Sequence, residues 1–333
     1  MGHAELYTPS NRRRMRIVIP GGTGQVGTLL ARAFHAAGDV VVVLSRRPNG
    51  VGVPWRVAAW DARTAGPWAA ELEGVDAVVN LAGRRVDCRY TPANRREIMA
   101  SRVDSTRAVG RAIAAAARPP RVWLQAGTAT IYAHRYDAPN DEATGVIGGA
   151  EPGAPYTWRF SIDVARAWEA AAMEEALPAT RRVVLRAAMV MSPDRGGVFD
   201  VLLRLVRLGL GGTAGDGRQY VSWVHGDDFV RAVRWLVGRD DLAGPVNVAA
   251  PAPLPNAEFM RALRRAWGAP MGLPAGRWML EAGAVALRTE TELILKSRRV
   301  VPGRLLDAGF AFDHPIWPEA ARDLVARWRA SGA

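Results

Sequence analysis

The chain has 333 residues, 49% of them hydrophobic, which suits one large α/β domain or such a domain with a smaller neighbour. No run approaches the roughly 18 apolar residues of a membrane span. The single cysteine, Cys88, excludes an intrachain disulfide and a cysteine-based zinc site, as expected of a reducing, cytoplasmic setting with no metal. The net charge of +12 rests on arginine, with Lys296 the only lysine, and the basic residues are spread without a block; this points to an arginine-rich composition rather than a nucleic-acid surface.

Residues 1–14 are polar, carry Arg12, Arg13 and Arg14 and lack an apolar h-region, so they read as a flexible extension and not a secretory signal, with Met15 a candidate start. Arg16–Pro20 is expected as a short buried strand, followed by a glycine loop and a helix from about Val26 to Ala37. Gly38 stops that helix, and Val40–Leu44 is a second strand whose unbroken valine run marks burial on both faces, as in a parallel sheet. The alternation continues with strands at Trp55–Ala59 and Ala77–Leu81, a long helix over Pro92–Ala117, a strand at Val122–Gln125, a helix over Arg166–Ala176 and a strand at Arg182–Ala187. Beyond about residue 190 the pattern changes to a glycine-rich segment, a strand at Tyr220–Val224, a helix at Asp227–Val237 and short helices broken by Pro and Gly. The expected fold is a Rossmann-type, doubly wound parallel sheet over 15–190, with a smaller C-terminal α/β lobe over 191–333 that binds substrate and shares strands with the sheet.

The glycine loop, Gly21-Gly22-Thr23-Gly24-Gln25-Val26-Gly27, stands between a strand and a helix, where a dinucleotide pyrophosphate meets the helix N-terminus. Gly21 permits the tight turn, Gly24 lets backbone approach the phosphates, and Gly27 allows close packing of helix on strand. After the second strand come Ser45, Arg46 and Arg47 where NAD-binding units usually carry an acid; guanidinium groups pair with a 2′-phosphate, so NADP(H) is favoured over NAD(H). Asp61 is a candidate for the adenine amino group or, alternatively, a cap for the segment that follows. Leu81, Ala82 and Gly83 offer small residues against the ribose, and Arg102 and Ala126 complete the candidate cofactor set. After the fifth strand, the hydroxyls of Thr128 and Thr130 and the phenol of Tyr132 are placed to meet a substrate carbonyl or to satisfy local backbone.

These motifs, with Ser101–Asp104, Val183–Arg186, Gly215–Asp228, Gly244–Val248, Asn256–Phe259, Arg299–Pro302 and Leu305–Phe310, make the chain resemble an extended short-chain dehydrogenase/reductase of the NAD-dependent epimerase/dehydratase group from about Met15 to Leu324. Within that group it is similar to the sugar-epimerase-like subfamily ending in a small domain of unknown function. The resemblance implies a Tyr-x-x-x-Lys pair for proton transfer, and the sequence departs from it. The tyrosine and lysine positions hold Ser161 and Ala165, and Lys296 stands in the C-terminal lobe. Candidate proton donors are therefore Thr128, Tyr132, Tyr156, Ser161 and His225, with Asp227 beside the last. Trp223, Gln219 and Arg186 are candidate substrate contacts. The expected activity is that of an NADP(H)-dependent oxidoreductase or epimerase on a small carbonyl or hydroxyl substrate, as monomer or homodimer. The alternative is an NADP(H)-binding redox sensor or scaffold without turnover.

Overall fold

The computed structural model describes residues 13–48, 52–152, 154–276, 279 and 290–331, so most of the N-terminal extension lies outside the described residues. Strands β1 (Arg16–Pro20), β2 (Val40–Ser45), β3 (Arg56–Ala59), β4 (Ala77–Asn80), β5 (Val122–Thr128), β6 (Arg181–Ala187) and a later strand, Gly244–Val248, form one seven-stranded sheet. Its order is β3-β2-β1-β4-β5-β6 with Gly244–Val248 outermost, every pair parallel. This is the doubly wound dinucleotide-binding order with one strand added, and the strand order reverses between β1 and β4, where such sheets bind ligands.

The valine runs form strands because both faces are covered. Ile17, Ile19, Val41 and Val43 point to one side, against Leu30 and Phe34 of helix α1 (Gln25–Ala36) and Phe229, Val233 and Leu236 of a later helix, Gly226–Gly238. Val18, Val42 and Val78 point to the other, against Val109 and Ile113 of α2 (Pro92–Ala115). Helix α3 starts at Tyr156 and ends at Ala171, well before the start and end expected from sequence. Its first turns hold Tyr156, Thr157, Trp158 and Phe160, weak helix formers whose pattern does not announce a helix; burial of Phe160, Ile162, Val164 and Ala165 carries it.

After β6 the chain forms β7 (Met189–Met191), α4 (Val198–Arg207), β8 (Tyr220–Val221), β9 (Trp223–His225), α5 (Gly226–Gly238), β10 (Gly244–Val248), β11 (Leu254–Pro255) and α6 (Asn256–Trp267). The strand expected over Tyr220–Val224 is thus two strands: β8 pairs antiparallel with β11, and β9 parallel with β7. Short helices α7 (Glu292–Leu295) and α8 (Gly303–Asp307) and the longer α9 (Trp317–Ala330) follow. A second core joins Phe199 and Leu203 of α4, Trp223 of β9, Phe259 of α6 and Trp317 and Trp328 of α9. Among the described residues no helix is long and apolar enough to cross a membrane.

Candidate functional site

The loop from β1 to α1 opens the site. Gly21 has φ +75°, and a Cβ there would lie 2.7 Å from the Cα of Ala82, so the turn against the β4 end admits no side chain. A Cβ at Gly27 would overlap the Cα of Gly22; the close neighbour that excludes it is the loop itself rather than the strand. The atom nearest a Cβ on Gly24 would be Gly21 O at 3.5 Å, which leaves that face open. Gly24 caps α1 without a side-chain bond, and the first turn holds no acid. Its N–H groups therefore lack an intrahelical acceptor and face outward, a fit for a pyrophosphate. Thr23 and Val26 flank this turn, and Gln25 has a buried Nε2 without a partner, beside Gly197.

Ser45 is buried at the end of β2; its Oγ lies 3.4 Å from Thr23 Oγ1 and accepts from Arg47 N at 3.1 Å. Arg46 and Arg47 are exposed, and neither guanidinium has a carboxylate partner among the described residues. Asp61 accepts from Arg63 N at 2.9 Å, Thr64 N at 3.0 Å and the Thr64 hydroxyl, which pull its pKa down to about 2. It caps a turn, as the alternative reading of the sequence has it, and keeps lone pairs for an amino group. Ala82 N donates to Asn80 Oδ1 at 3.1 Å, and Asn80 Nδ2 to Gln125 Oε1 at 2.9 Å, which fixes the Leu81–Gly83 turn. Gly83 faces Arg102, whose Nη1 donates to Arg84 O and Ile98 O and whose guanidinium lies 5.0 Å from the Trp168 ring centroid. Burial pushes Arg102 down to about 10. Ala126, at the carboxyl end of β5, accepts from Gln125 Nε2 at 3.0 Å.

Next to this crevice lies a cavity of about 100 Å³ lined by Tyr90, Arg102, Thr128, Ser161, Glu292 and Arg298, with Phe160 and Trp168 among its apolar walls. Thr128 Oγ1 accepts from Thr130 N at 3.2 Å and caps the turn Ala129–Ile131. Ser161 Oγ donates to Glu292 Oε2 at 2.6 Å and lies 3.5 Å from the Tyr90 hydroxyl. Burial, then the charge of Glu292, pushes Tyr90 up to about 12. Burial also raises the pKa of Glu292, against the pull of Arg298. Lys296, placed by sequence in a separate lobe, folds back onto the turn that follows β5: its Nζ donates to Thr130 O at 2.8 Å, and burial lowers it to about 8. It is no Tyr-x-x-x-Lys partner, because it holds a backbone carbonyl and is not among the residues lining the cavity. Tyr90, Glu292 and Arg298 were not anticipated from sequence.

Thr128 and Ser161 alone of the candidate donors line this cavity. Tyr156 stands 58% exposed at the start of α3, under the Arg95 guanidinium. Tyr132 is buried, and its hydroxyl accepts from Arg186 Nη1 and donates to Asn247 Oδ1, both at 2.9 Å. Arg186 is committed to Glu169, with two bonds of 2.8 Å. Gln219 donates to Ala214 O and Ile294 O. Trp223 is fully buried beside Trp317 in the second core. Tyr132, Arg186, Gln219 and Trp223 are buried and brace the fold away from this cavity, whereas Tyr156 is exposed outside it.

His225 is the N-cap of α5; its Nδ1 accepts from Asp227 N and its Nε2 lies 3.1 Å from Asp323 Oδ2, with His314 stacked at 3.8 Å. Burial, then His314, lowers its pKa from 6.5, so the folded state keeps it neutral where the unfolded chain takes up a proton. Stability is therefore full above about pH 6.5 and declines as pH falls below it. His134, lowered by burial and Lys296, acts in the same direction. Thermal unfolding from about pH 7 to about pH 5 should show a decline in Tm that His225→Asn, which keeps a cap, makes shallower; an unchanged slope would place the titration elsewhere.

A family model described as "NAD dependent epimerase/dehydratase family" matches residues 17–249, and one described as a domain of unknown function, DUF1731, matches residues 276–324. The epimerase family protein SDR39U1 of Bos taurus is 33% identical over 318 residues, covering 94% of this chain and 100% of the relative. The epimerase family protein YfhF of Bacillus subtilis is 28% identical, covering 94% and 98%. The crystal structure of human SDR39U1 with NADPH superposes with a TM-score of 0.81 at 30% identity, covering 94% of this chain and 99% of that one. The chain belongs to the NAD-dependent epimerase/dehydratase family.

Proposed function

We propose that the protein is an NADP(H)-dependent oxidoreductase or epimerase acting on a small carbonyl or hydroxyl substrate, with Thr128 and Ser161 at the reacting oxygen. The observation that carries this reading is the cavity at the carboxyl end of β5, which gathers both hydroxyls with Arg102, the residue that Gly83 of the β4 turn faces. The first turn of α1 would hold the pyrophosphate, Ser45, Arg46 and Arg47 the 2′-phosphate, and Asp61, Leu81, Ala82, Gly83, Arg102 and Ala126 the remaining faces of the dinucleotide. The human relative crystallised with NADPH supports this choice of cofactor. The bound nicotinamide would supply or accept the hydride at the substrate carbon. The residues here bind, exclude water and handle the proton at the substrate oxygen.

A cavity of about 100 Å³ admits a reacting group of a few heavy atoms, so the rest of a larger substrate would extend outward. The expected result of mixing the protein with NADPH and a panel of small aldehydes, ketones and diketones is loss of the reduced-nicotinamide absorbance with at least one of them. NADPH binding without oxidation across the panel would favour the non-catalytic sensor or scaffold instead.

A further inference from the structure

We infer that Glu292 supplies and recovers the proton for the substrate oxygen through the hydroxyl of Ser161, replacing the missing tyrosine–lysine pair with a serine–glutamate relay. The inference rests on the proposed reading of the cavity as the reacting site.

A serine hydroxyl is a poor acid and a poor base by itself, and becomes useful only with a proton-exchanging partner in hydrogen-bond reach. Ser161 has one. Its Oγ lies 2.6 Å from Glu292 Oε2, close enough for a proton to pass between the two oxygens in either direction. Glu292 itself is 1% exposed and lies on the short helix α7, which brings it to the cavity from the far end of the sequence. Its second oxygen, Oε1, is buried without any hydrogen-bond partner. A structural carboxylate would have both oxygens satisfied, because an unpaired buried acceptor carries its full desolvation penalty. Here Oε1 has only the Arg298 ion pair at 3.9 Å, so it can take up or lose a proton without breaking a hydrogen bond.

The groups facing Glu292 fit that cycle. Ser161 comes from α3 and the Tyr90 hydroxyl from the segment before α2. From its own side come Arg298, with Nη2 3.9 Å from Oε1, then Lys296, and the carboxylate of Glu290, which accepts from Tyr90 N. Arg102 lines the same cavity from α2. Burial and Glu290 favour the neutral acid, while Arg298 and Lys296 stabilise the carboxylate once it forms. In the reductive direction, with the hydride that a bound nicotinamide would supply to the carbonyl carbon, the carbonyl π bond breaks and the substrate oxygen forms its new O–H bond with the Ser161 proton. Ser161 Oγ takes the proton of the Glu292 carboxyl, and Glu292 is left ionised beside Arg298 until solvent returns a proton. The oxidative direction runs through the same atoms reversed. Glu292 thus acts through Ser161 and does not itself touch substrate.

Two measurements on the full chain test this. The first is infrared difference spectroscopy of the wild type against Glu292→Gln across pH. The expected result is a protonated-carboxyl band that is lost in Glu292→Gln, persists above the ordinary glutamic-acid range, and shifts in frequency in Ser161→Ala. Absence of such a band overturns the relay. The second is kinetics with NADPH and 2,3-butanedione. Ser161→Ala and Glu292→Gln should each lower kcat roughly 10²-fold with NADPH affinity unchanged, and the double variant should lose no more than the worse single one, as for groups acting as a unit. Wild-type kcat should fall as pH rises through the Glu292 titration, and Glu292→Gln should flatten that profile; Tyr90→Phe should leave it in place. Multiplicative losses, or an unchanged profile in Glu292→Gln, overturn the relay. No diketone reduction by the wild type would overturn the turnover reading, while the infrared band would still decide the Ser161–Glu292 pair.

Discussion

Glu169→Ala is expected to cost the folded state about 3–5 kcal/mol, against about 0–1 kcal/mol for removing an exposed pair such as Arg107–Glu174. The difference lies in what is left behind. Arg186 on β6 and Glu169 on α3 form a two-pronged pair with both bonds at 2.8 Å, the side chains 10% and 16% exposed. Burial alone would lower the arginine pKa, and the bonds to Glu169 hold it above its ordinary value instead. Without Glu169 the guanidinium stays buried with only the Tyr132 hydroxyl as partner. That hydroxyl in turn donates to Asn247 on β10, which donates to Val301 O, so the disturbance would spread from α3 through β6 to the C-terminal segment. Denaturant unfolding should show the loss as a lowered midpoint, and Glu169→Leu combined with Arg186→Met should recover much of it, since the penalty comes from the orphaned charge rather than from the missing bond. A loss below about 1 kcal/mol for Glu169→Ala would mean that water reaches the pair.

What the sequence disclosed and what it hid follow from the range of the interactions. The glycine loop and the sheet strands are written in neighbouring residues: a buried parallel strand needs an apolar run, and the turn at Gly21 needs a residue without Cβ. The wall of the cavity is a different matter. Ser161 and Glu292 are 131 residues apart, and Tyr90 N meets Glu290 across 200. No local pattern marks Glu292, an acid before a short apolar run, as the partner of a serine in α3. Lys296 was legible as the only lysine, yet its return to Thr130 was not. The surroundings of Trp223 and His225 are hidden for a related reason. Both lie within a segment that resembles the family pattern, Gly215–Asp228, but they stand on β9, which pairs with β7 off the main sheet. Being two apart in a strand, they point to the same side, and that side is the packing surface under α9, where Trp317 and Asp323 receive them.

Replacing Arg46 and Arg47 together by alanine is expected to weaken NADPH binding roughly 10²-fold, on the basis of about 1.5–3 kcal/mol for hydrogen bonds to charged groups, and to leave NADH binding nearly unchanged. The expectation rests on what these arginines do not do in the fold. Both are exposed at the end of β2 and neither pairs with an acid among the described residues, in a chain where Arg32, Arg56, Arg107, Arg135 and Arg239 all find one. Their removal therefore costs the protein no internal ion pair, and Tm without ligand should hold. The turn they leave from is fixed independently: Ser45 Oγ accepts from Arg47 N and contacts Thr23 across the glycine loop, so the backbone should keep its course in the variant. Titration calorimetry with each nucleotide at two salt concentrations separates the explanations. Contacts to a 2′-phosphate predict a loss confined to NADPH and a weaker salt dependence of its binding in the variant, because screened charge–charge attraction is what has been removed. An equal loss for both nucleotides would assign the arginines to the pyrophosphate they share, and would leave the preference for NADPH to be sought in Ser45 and Thr23 instead.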